Sequence, residues 1–335
     1  MRASAPAGAA NERETVRQLK LDPRPPTYDS IAEASLGEQS RATVVDDVEA
    51  ADWQPIAPPA PAAAPRLAFV DGVQRLERRI SAVGEGWPIP GALVSYAAGA
   101  VLCDAEPPLR HIKVERRIIL TRGAAPAAVR LEAQNGPVVY LPASSSGEDA
   151  EGIGQALGDL RANLEAEVVR ALLADACELI VVDGRLPGVR QGPVVGLIKT
   201  LQGLYIERPE QVACLEALRT GERSPVFIIE KQRARYYSWF VCLRTPGRFE
   251  IPLSGLARLE MDHNTPKAEA LRTADVTAAV LPAYASTPSR DDRAPQNLLP
   301  VGQLERELRR RQGDVEYLTR LMMTAFAKEE LTWNP

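Results

Sequence analysis

The chain has 335 residues, 45% hydrophobic and 25% charged, which is typical of a soluble globular protein with one large or two average domains. Its formal net charge is −4, so no overall basic field draws it to nucleic acid, and any polyanion site must be local. Two histidines and four widely spaced cysteines argue against a His-rich or Cys-rich metal site. Because no stretch reaches the roughly 18 apolar residues of a membrane span and no apolar signal opens the chain, we expect a cytoplasmic protein with no membrane partner.

The N-terminal part of the sequence predicts little regular structure. The first ten residues are small and include proline, and Asn11–Leu21 could form a short helix. Ala51–Pro65 is a Pro/Ala tract, which favours an extended polyproline tether. We therefore expect residues 1–65 to be a disordered segment, and residues 66–335 to be the folded domain, beginning near Arg66.

After Arg66, apolar periodicity predicts alternating strands and helices. The predicted elements are a strand at Leu67–Val70, a meander over Pro88–Leu102 and His111–Leu120, a helix at Glu148–Ala174, a strand at Leu179–Val182, the apolar run Val194–Tyr205, a helix at Pro209–Leu218, a strand at Val226–Ile229, an antiparallel region over Tyr236–Leu243 and Phe249–Met261, a helix at Ala268–Leu281 and one long helix, Gly302–Ala327. This order predicts an α/β fold: a mixed β-sheet of the RNase H-like type, flanked by helices, with an inserted antiparallel β region.

Two short apolar strands end in the same way. Leu67–Val70 runs into Asp71–Gly72, and Leu179–Val182 runs into Asp183–Gly184. If the strands pair in parallel, neighbours about 4.8 Å apart hold the two aspartates side by side. Two such carboxylates repel unless a cation lies between them, which favours a divalent metal site. The alternative is that both are ordinary Asp-Gly turns, and the sequence leaves both open.

Four segments in order resemble the NurA family of nucleases, particularly its bacterial members. They are FVDGVQRLERR at Phe69–Arg79, LIVVDGRLPG with VVGLIKTLQGLYI within Leu179–Ile206, ERSPVFII with YYSWFVCLR within Glu222–Arg244, and SRDDRAPQNLLPVGQLERELRRRQGD at Ser289–Asp314. The resemblance implies an RNase H-like nuclease domain that cuts DNA with Mn²⁺ or Mg²⁺. It also implies a homodimer that works beside a HerA-type hexameric ATPase.

The resemblance also implies a set of catalytic residues. By position, the first acid is Asp71, the later one is Asp183, and the preceding helix supplies Glu165, with Glu167 as the alternative. Asp71, Glu165 and Asp183 are the implied metal ligands. Archaeal members have a late histidine, which this sequence lacks. Glu305 is the expected fourth catalytic residue, ahead of Asn297, since a metal ligand prefers charge.

Several basic residues are candidates for contacts with DNA phosphates. Lys199 ends an apolar run and could contact a scissile phosphate, although a lysine snorkelling from a strand fits equally well. Arg223 lies in a polar loop and could hold a backbone phosphate, or it could simply be solvated. The arginines after Glu305 form a cationic face that is also typical of a salt-bridged surface helix.

These patterns together predict a metal-dependent deoxyribonuclease, an exonuclease acting on DNA ends in repair or defence. The chain has no G-x-x-x-x-G-K-[ST] motif, so energy for work on DNA must come from a partner. The alternative is a non-catalytic RNase H-like scaffold that grips DNA or an ATPase without cutting. The three carboxylates favour the enzyme, whereas the missing late histidine favours the scaffold.

Overall fold

The computed structural model describes residues 42–82, 89–124, 126–189, 192–199, 205–206, 208–231, 234–287, 289 and 294–327. Within these residues the strands are β1 Thr43–Val45, β2 Leu67–Ala82, β3 Ile89–Leu102, β4 Leu109–Leu120, β5 Val129–Leu131, β6 Val138–Ser144, β7 Leu179–Asp183, β8 Val194–Ile198, β9 Phe227–Lys231, β10 Ala234–Cys242 and β11 Leu256–Asp262. The α-helices are α1 Ala150–Ala174, α2 Pro209–Ala217, α3 Lys267–Val280, α4 Leu299–Arg311 and α5 Val315–Ala327. None of the helices in these ranges is long and apolar enough to cross a membrane.

One large mixed sheet organises this part of the chain. Its 11 strands follow the order β1-β9-β10-β11-β8-β7-β2-β3-β4-β6-β5. The predicted meander is present, because β2, β3 and β4 pair antiparallel. The predicted parallel pairing of β2 with β7 is also confirmed. The antiparallel region differs from the prediction: β9, β10 and β11 continue the same sheet through β8 rather than forming an insertion. A mixed α/β fold is thus established, and its RNase H-like character stays a prediction.

Alternating side chains give the sheet two buried faces. On one face, Ala68, Val70 and Val182 pack against α1 residues such as Val168 and Leu172. On the opposite face, α3 covers the middle of the sheet through three buried alanines, Ala270, Ala274 and Ala278. The start of α4 covers the same face, with Leu298 and Val301 in that cluster. Helices therefore flank the sheet on both sides.

The long helix α1 is fixed at both ends by its own sequence. Its N-cap, Asp149, accepts hydrogen bonds from the backbone N–H groups of Glu151 and Gly152, both at 3.1 Å. At the other end Ala176 has φ +56°, and its N–H bonds to the carbonyl of Leu173 at 3.1 Å. This left-handed closure turns the chain directly into β7.

The ordered fold starts earlier than predicted. β1 pairs antiparallel with β9, and Trp53 is 1% exposed, with its ring centroid 5.6 Å from that of Phe227. Ile56 forms a β-bridge to Arg223. The Pro/Ala composition around these residues indicated a tether, but the buried side chain of Trp53 and the backbone bridge of Ile56 hold the tract against the sheet. The helix proposed at Asn11–Leu21 lies outside the described residues.

The predicted single helix Gly302–Ala327 is two helices in the structure. α4 ends at Arg311, and α5 begins at Val315. Gly313 lies between them with φ +91°, a conformation that glycine adopts without steric cost. The break lets α5 turn and pack Leu318 and Met322 onto the far end of the sheet.

Candidate active site

The candidate site lies where one of two paired strands stops. Val70 and Val182 form the last paired position of β2 and β7, so Asp71 and Asp183 follow side by side, as predicted. β7 ends at Asp183, whereas β2 continues to Ala82, paired with β3. This difference in length leaves a notch in the sheet. At the notch, the backbone N–H of Gly72 donates a hydrogen bond to Asp71 Oδ1 at 2.8 Å.

Helix α4 forms one wall of the notch. By strand alternation, Asp71 shares a face of β2 with Val73, which packs against Leu304 and Leu308 of α4. Glu305 follows Leu304 on that helix and lines the same cleft as Asp71. Its carboxylate accepts a hydrogen bond from Arg309 Nη2 at 2.9 Å, one helical turn later.

Helix α1 forms the opposite wall, and Gly72 is what lets it approach. A Cβ atom on Gly72 would overlap Glu165 Oε1 and would lie 3.0 Å from both Glu165 Cδ and Arg161 Cγ. Glu165 is 3% exposed and bonds to Arg161 on the preceding turn of α1. Gly72 therefore allows β2 and α1 to approach each other closely, and Asp71–Gly72 is not an ordinary Asp-Gly turn.

These residues enclose a cleft of about 290 Å³. It lies between the helices that cover opposite faces of the sheet, and its lining is almost entirely polar or charged. The lining residues are Asp71, Gly72, Val73, Gln74, Arg161, Asp183, Glu305 and Arg309.

Burial and neighbouring charges raise the pKa values of Asp71 and Glu165. Asp71 is 7% exposed, and burial raises its pKa well above the usual range; the neighbouring charges of Asp183 and Glu165 raise it further, while Lys199 opposes them. Burial also raises the pKa of Glu165 to about 7, against the lowering effect of Arg161. Each ionised carboxylate therefore disfavours ionisation of its neighbours. A cation bound among them would relieve this repulsion and stabilise the charged forms.

A cation from the chain already accompanies three of the carboxylates. Lys199 Nζ lies 2.6 Å from Asp183 Oδ2 and 2.8 Å from Asn297 Oδ1. Arg161 pairs with Glu165, and Arg309 pairs with Glu305. The acidic charge of the cleft is thus compensated by side chains one turn or one strand away.

The structure brings three of the predicted acids, Asp71, Asp183 and Glu305, to one cleft. Glu165 is buried behind Gly72 and does not line the cleft, but its charge acts on Asp71. The catalytic roles of these residues stay predictions. Glu167, the alternative to Glu165, is half exposed and pairs with Lys113 at 2.7 Å, away from this cleft.

The phosphate contact predicted for Lys199 stays a prediction, whereas the position of Arg223 does not fit such a contact. Lys199 is tied to Asp183 and Asn297, with a side chain only 12% exposed. Arg223 is 2% exposed and is held by Glu49 and Asp275, with N–O distances of 2.8 and 2.7 Å. An arginine that is buried between two carboxylates is a structural ion pair, so the DNA-contact role predicted for Arg223 is corrected.

The donor chemistry of the cleft suits a hard divalent cation. Its candidate ligands are all carboxylate oxygens, the donors that Mg²⁺ and Mn²⁺ prefer. As the side chains stand, however, no group of three or more acidic, histidine or cysteine residues is positioned to hold a metal ion within the described residues. Binding therefore requires carboxylates to turn away from Lys199 and Arg161 toward each other.

Sequence reasoning missed Arg161. It lies four residues before Glu165, and the N–H at its Nε donates to Gln74 Oε1 at 3.2 Å. An Arg/Glu pair at i,i+4 on a predicted helix is so common on surfaces that it carries no site signal. Only the notch in the sheet distinguishes this pair.

Comparisons with known proteins give little support for a family. The sequence matches no known protein family and no curated protein. Among solved structures, the crystal structure of the NurA nuclease from Sulfolobus solfataricus is similar, with 11% sequence identity and a TM-score of 0.43. The match covers 84% of this chain and 89% of that chain. A likeness at this identity and TM-score does not establish a family for the chain.

Proposed function

We propose that this protein is a metal-dependent nuclease that hydrolyses phosphodiester bonds in DNA. The observation that carries the proposal is that Asp71, Asp183 and Glu305 line one cleft, with the buried Glu165 close enough for its charge to raise the pKa of Asp71. A buried carboxylate is costly unless it is used or paired, and a cluster of four from separate elements is difficult to explain as a stabilising feature.

In this proposal Asp71, Glu165 and Asp183 are the residues that hold Mn²⁺ or Mg²⁺. Bound divalent cations supply an activated water and charge stabilisation for the leaving oxygen. Glu305, on the opposite wall from Glu165, completes the acidic set. Lys199, which contacts both Asp183 and Asn297, holds the Asp183 carboxylate in the absence of metal and releases it when the cation binds.

The finer features of the proposal come from the sequence resemblance. We propose that the substrate is a DNA end, that the chain works as a homodimer in the cytoplasm, and that a HerA-type hexameric ATPase delivers the DNA. A two-fold dimer can provide a channel for a strand fed to it by such a ring. Sedimentation should then give twice the 36.4 kDa chain mass.

The decisive experiment is a nuclease assay on end-labelled linear DNA and matched circular DNA, with Mn²⁺, Mg²⁺ or EDTA. Metal-dependent loss of the linear DNA alone is expected. Asp71→Asn, Asp183→Asn and Glu165→Gln should each lower the rate by about 10²-fold or more. Glu167→Gln is the matched control, because it makes the same chemical change on the same helix outside the cleft, and it should cut normally. Equal loss for Glu165→Gln and Glu167→Gln would contradict the site.

A second candidate function is a non-catalytic scaffold that binds DNA or an ATPase. The pairing of Lys199 with Asp183, and of arginines with Glu165 and Glu305, favours it, since the acids are already neutralised without metal. Calorimetry separates the two functions. A nuclease should bind Mn²⁺ with a stoichiometry that Asp71→Asn and Asp183→Asn abolish, whereas a scaffold should show no such binding and no cutting.

A further inference from the structure

A nuclease cleft lined by carboxylates has an electrostatic problem with its own substrate. A phosphodiester is an anion, and the three carboxylates that line the cleft repel it unless cations face the same space. The cations that line this cleft, among the described residues, are Arg161 and Arg309. Lys199 is committed to Asp183 and Asn297, and Arg223 lies elsewhere in a buried ion pair.

The two arginines occupy equivalent places on opposite walls. Arg161 lies on α1 and pairs with Glu165, four residues later; Arg309 lies on α4 and pairs with Glu305, four residues earlier. Each therefore neutralises one of the acids of the cleft from within its own helix. Their side chains are 30% and 59% exposed, so both guanidinium groups reach the solvent side of the cleft.

The Arg309–Glu305 pair is weak, because Arg309 is exposed and exposed ion pairs contribute only about 0–1 kcal/mol. Glu165 is buried, so Arg161 can leave it only when another cation takes the place of its guanidinium. An arginine released from its carboxylate can present parallel N–H donors to two phosphate oxygens, which a lysine cannot. The same movement that turns Glu165 and Glu305 toward a shared cation frees the donors of Arg161 and Arg309.

We propose that Arg161 and Arg309 are the substrate-binding residues of the cleft, which exchange their carboxylate partners for a phosphodiester group from both walls. The inference rests on the proposed function. It adds a coupling: divalent cation and DNA should each strengthen the binding of the other, since both draw on the same exchange.

The test is fluorescence anisotropy with a short fluorescein-labelled single-stranded oligonucleotide, in Ca²⁺ and in EDTA, with a gel to show that the oligonucleotide stays intact. In Ca²⁺, Arg161→Gln and Arg309→Gln should each raise Kd about tenfold and reduce the salt slope by about 1. In EDTA, where the arginines remain paired, the same variants should change Kd by less than about threefold.

Arg310→Gln is the matched control. Arg310 neighbours Arg309, pairs with Glu307 at 2.7 Å and is 71% exposed, but it does not line the cleft. It should change Kd by less than about twofold. Should Arg161→Gln fail to fold, because Glu165 loses its cation, the comparison of Arg309→Gln with Arg310→Gln decides alone.

The outcomes separate this inference from the proposed function. Equal weakening by Arg309→Gln and Arg310→Gln, with metal-dependent cutting intact in the wild type, would overturn the inference and leave the nuclease proposal standing. A folded wild-type protein that binds no DNA in either buffer would overturn both. A rise in Kd that occurs only in Ca²⁺, and only for Arg161→Gln and Arg309→Gln, supports the exchange.

Discussion

Gly72→Ala tests the geometry of the site without replacing any candidate catalytic residue. The added methyl group would overlap Glu165 Oε1 and press on Glu165 Cδ and Arg161 Cγ, each at 3.0 Å. Because Glu165 is 3% exposed, its carboxylate must leave its buried position to make room for the methyl group. The substitution therefore removes one acid from the cluster by steric exclusion.

The expected magnitudes follow from that overlap. Overpacking of a buried site costs about 1–3 kcal/mol, and the better strand propensity of alanine returns about 0.5–1 kcal/mol. We expect a net loss near 1–2 kcal/mol, which in a chain of 335 residues lowers Tm by roughly 1–3 °C. Because a misplacement of about 1 Å in an active site costs about 10²-fold, the nuclease rate should fall by at least that factor.

The assay combines thermal unfolding with the rate of loss of end-labelled DNA in Mn²⁺. Gly158→Ala on α1 is the matched control, because nothing lies within 4 Å of the new methyl group, and it should be neutral or stabilising and fully active. Gly72→Ala combined with Glu165→Ala should recover stability but not activity, since the clash disappears and the carboxylate with it. A Gly72→Ala protein that cuts at the wild-type rate would refute the placement of Glu165.

Three further predictions concern stability. In EDTA, the free energy of unfolding should fall by about 3 kcal/mol between pH 4.5 and 7. Burial raises the pKa of Glu165 to about 7, so in this range the folded state holds a proton that the unfolded state has lost. Urea titrations across the range should show that Glu165→Gln makes stability less dependent on pH. Deletion of residues 1–65 should give insoluble protein or lower Tm by more than about 10 °C, because it removes the 1% exposed Trp53 and the Glu49 partner of Arg223. Trp53→Ala should lower Tm, whereas Gln54→Ala at the exposed neighbouring position should leave Tm unchanged. Ala176→Gly should raise stability by about 1 kcal/mol, because Ala176 has φ +56°, and an unchanged Tm in differential scanning calorimetry would contradict this.

Local periodicity was sufficient to predict most of the elements. α1, with its regular apolar stripe, is observed within two residues of its predicted start and at its predicted end. Parallel pairing of β2 with β7 followed from two matching apolar runs, each ending in an acid. Element boundaries set by a single residue were harder to predict. Gly313 divides the last helix, and nothing in the apolar pattern on either side of it indicates a break.

The start of the folded domain was predicted too late in the chain, because the composition of a segment does not show which of its single residues are buried. A Pro/Ala tract cannot form a core by itself, but it can be held by the few apolar or charged side chains it carries. Trp53 packs at a tilt against Phe227. Just before the tract, Glu49 neutralises a buried arginine and accepts a hydrogen bond from the backbone N–H of Val226 at 2.7 Å. Each contact spans more than a hundred residues of sequence, and its partner is recognisable only once the sheet order is known.

The same long-range dependence decides which basic residues belong to the site. Arg161, Arg223 and Arg309 each occur beside an acidic residue in sequence or space, and local sequence gives no ranking among them. The sheet supplies the ranking: Arg223 lies inside the fold between Glu49 and Asp275, whereas Arg161 and Arg309 flank the notch that opens where β7 stops and β2 continues. Phosphate binding needs a guanidinium that is both accessible and opposite the reacting group. Strand lengths and helix positions decide whether a guanidinium is accessible and whether it faces the reacting group. Both are therefore known only from the tertiary structure.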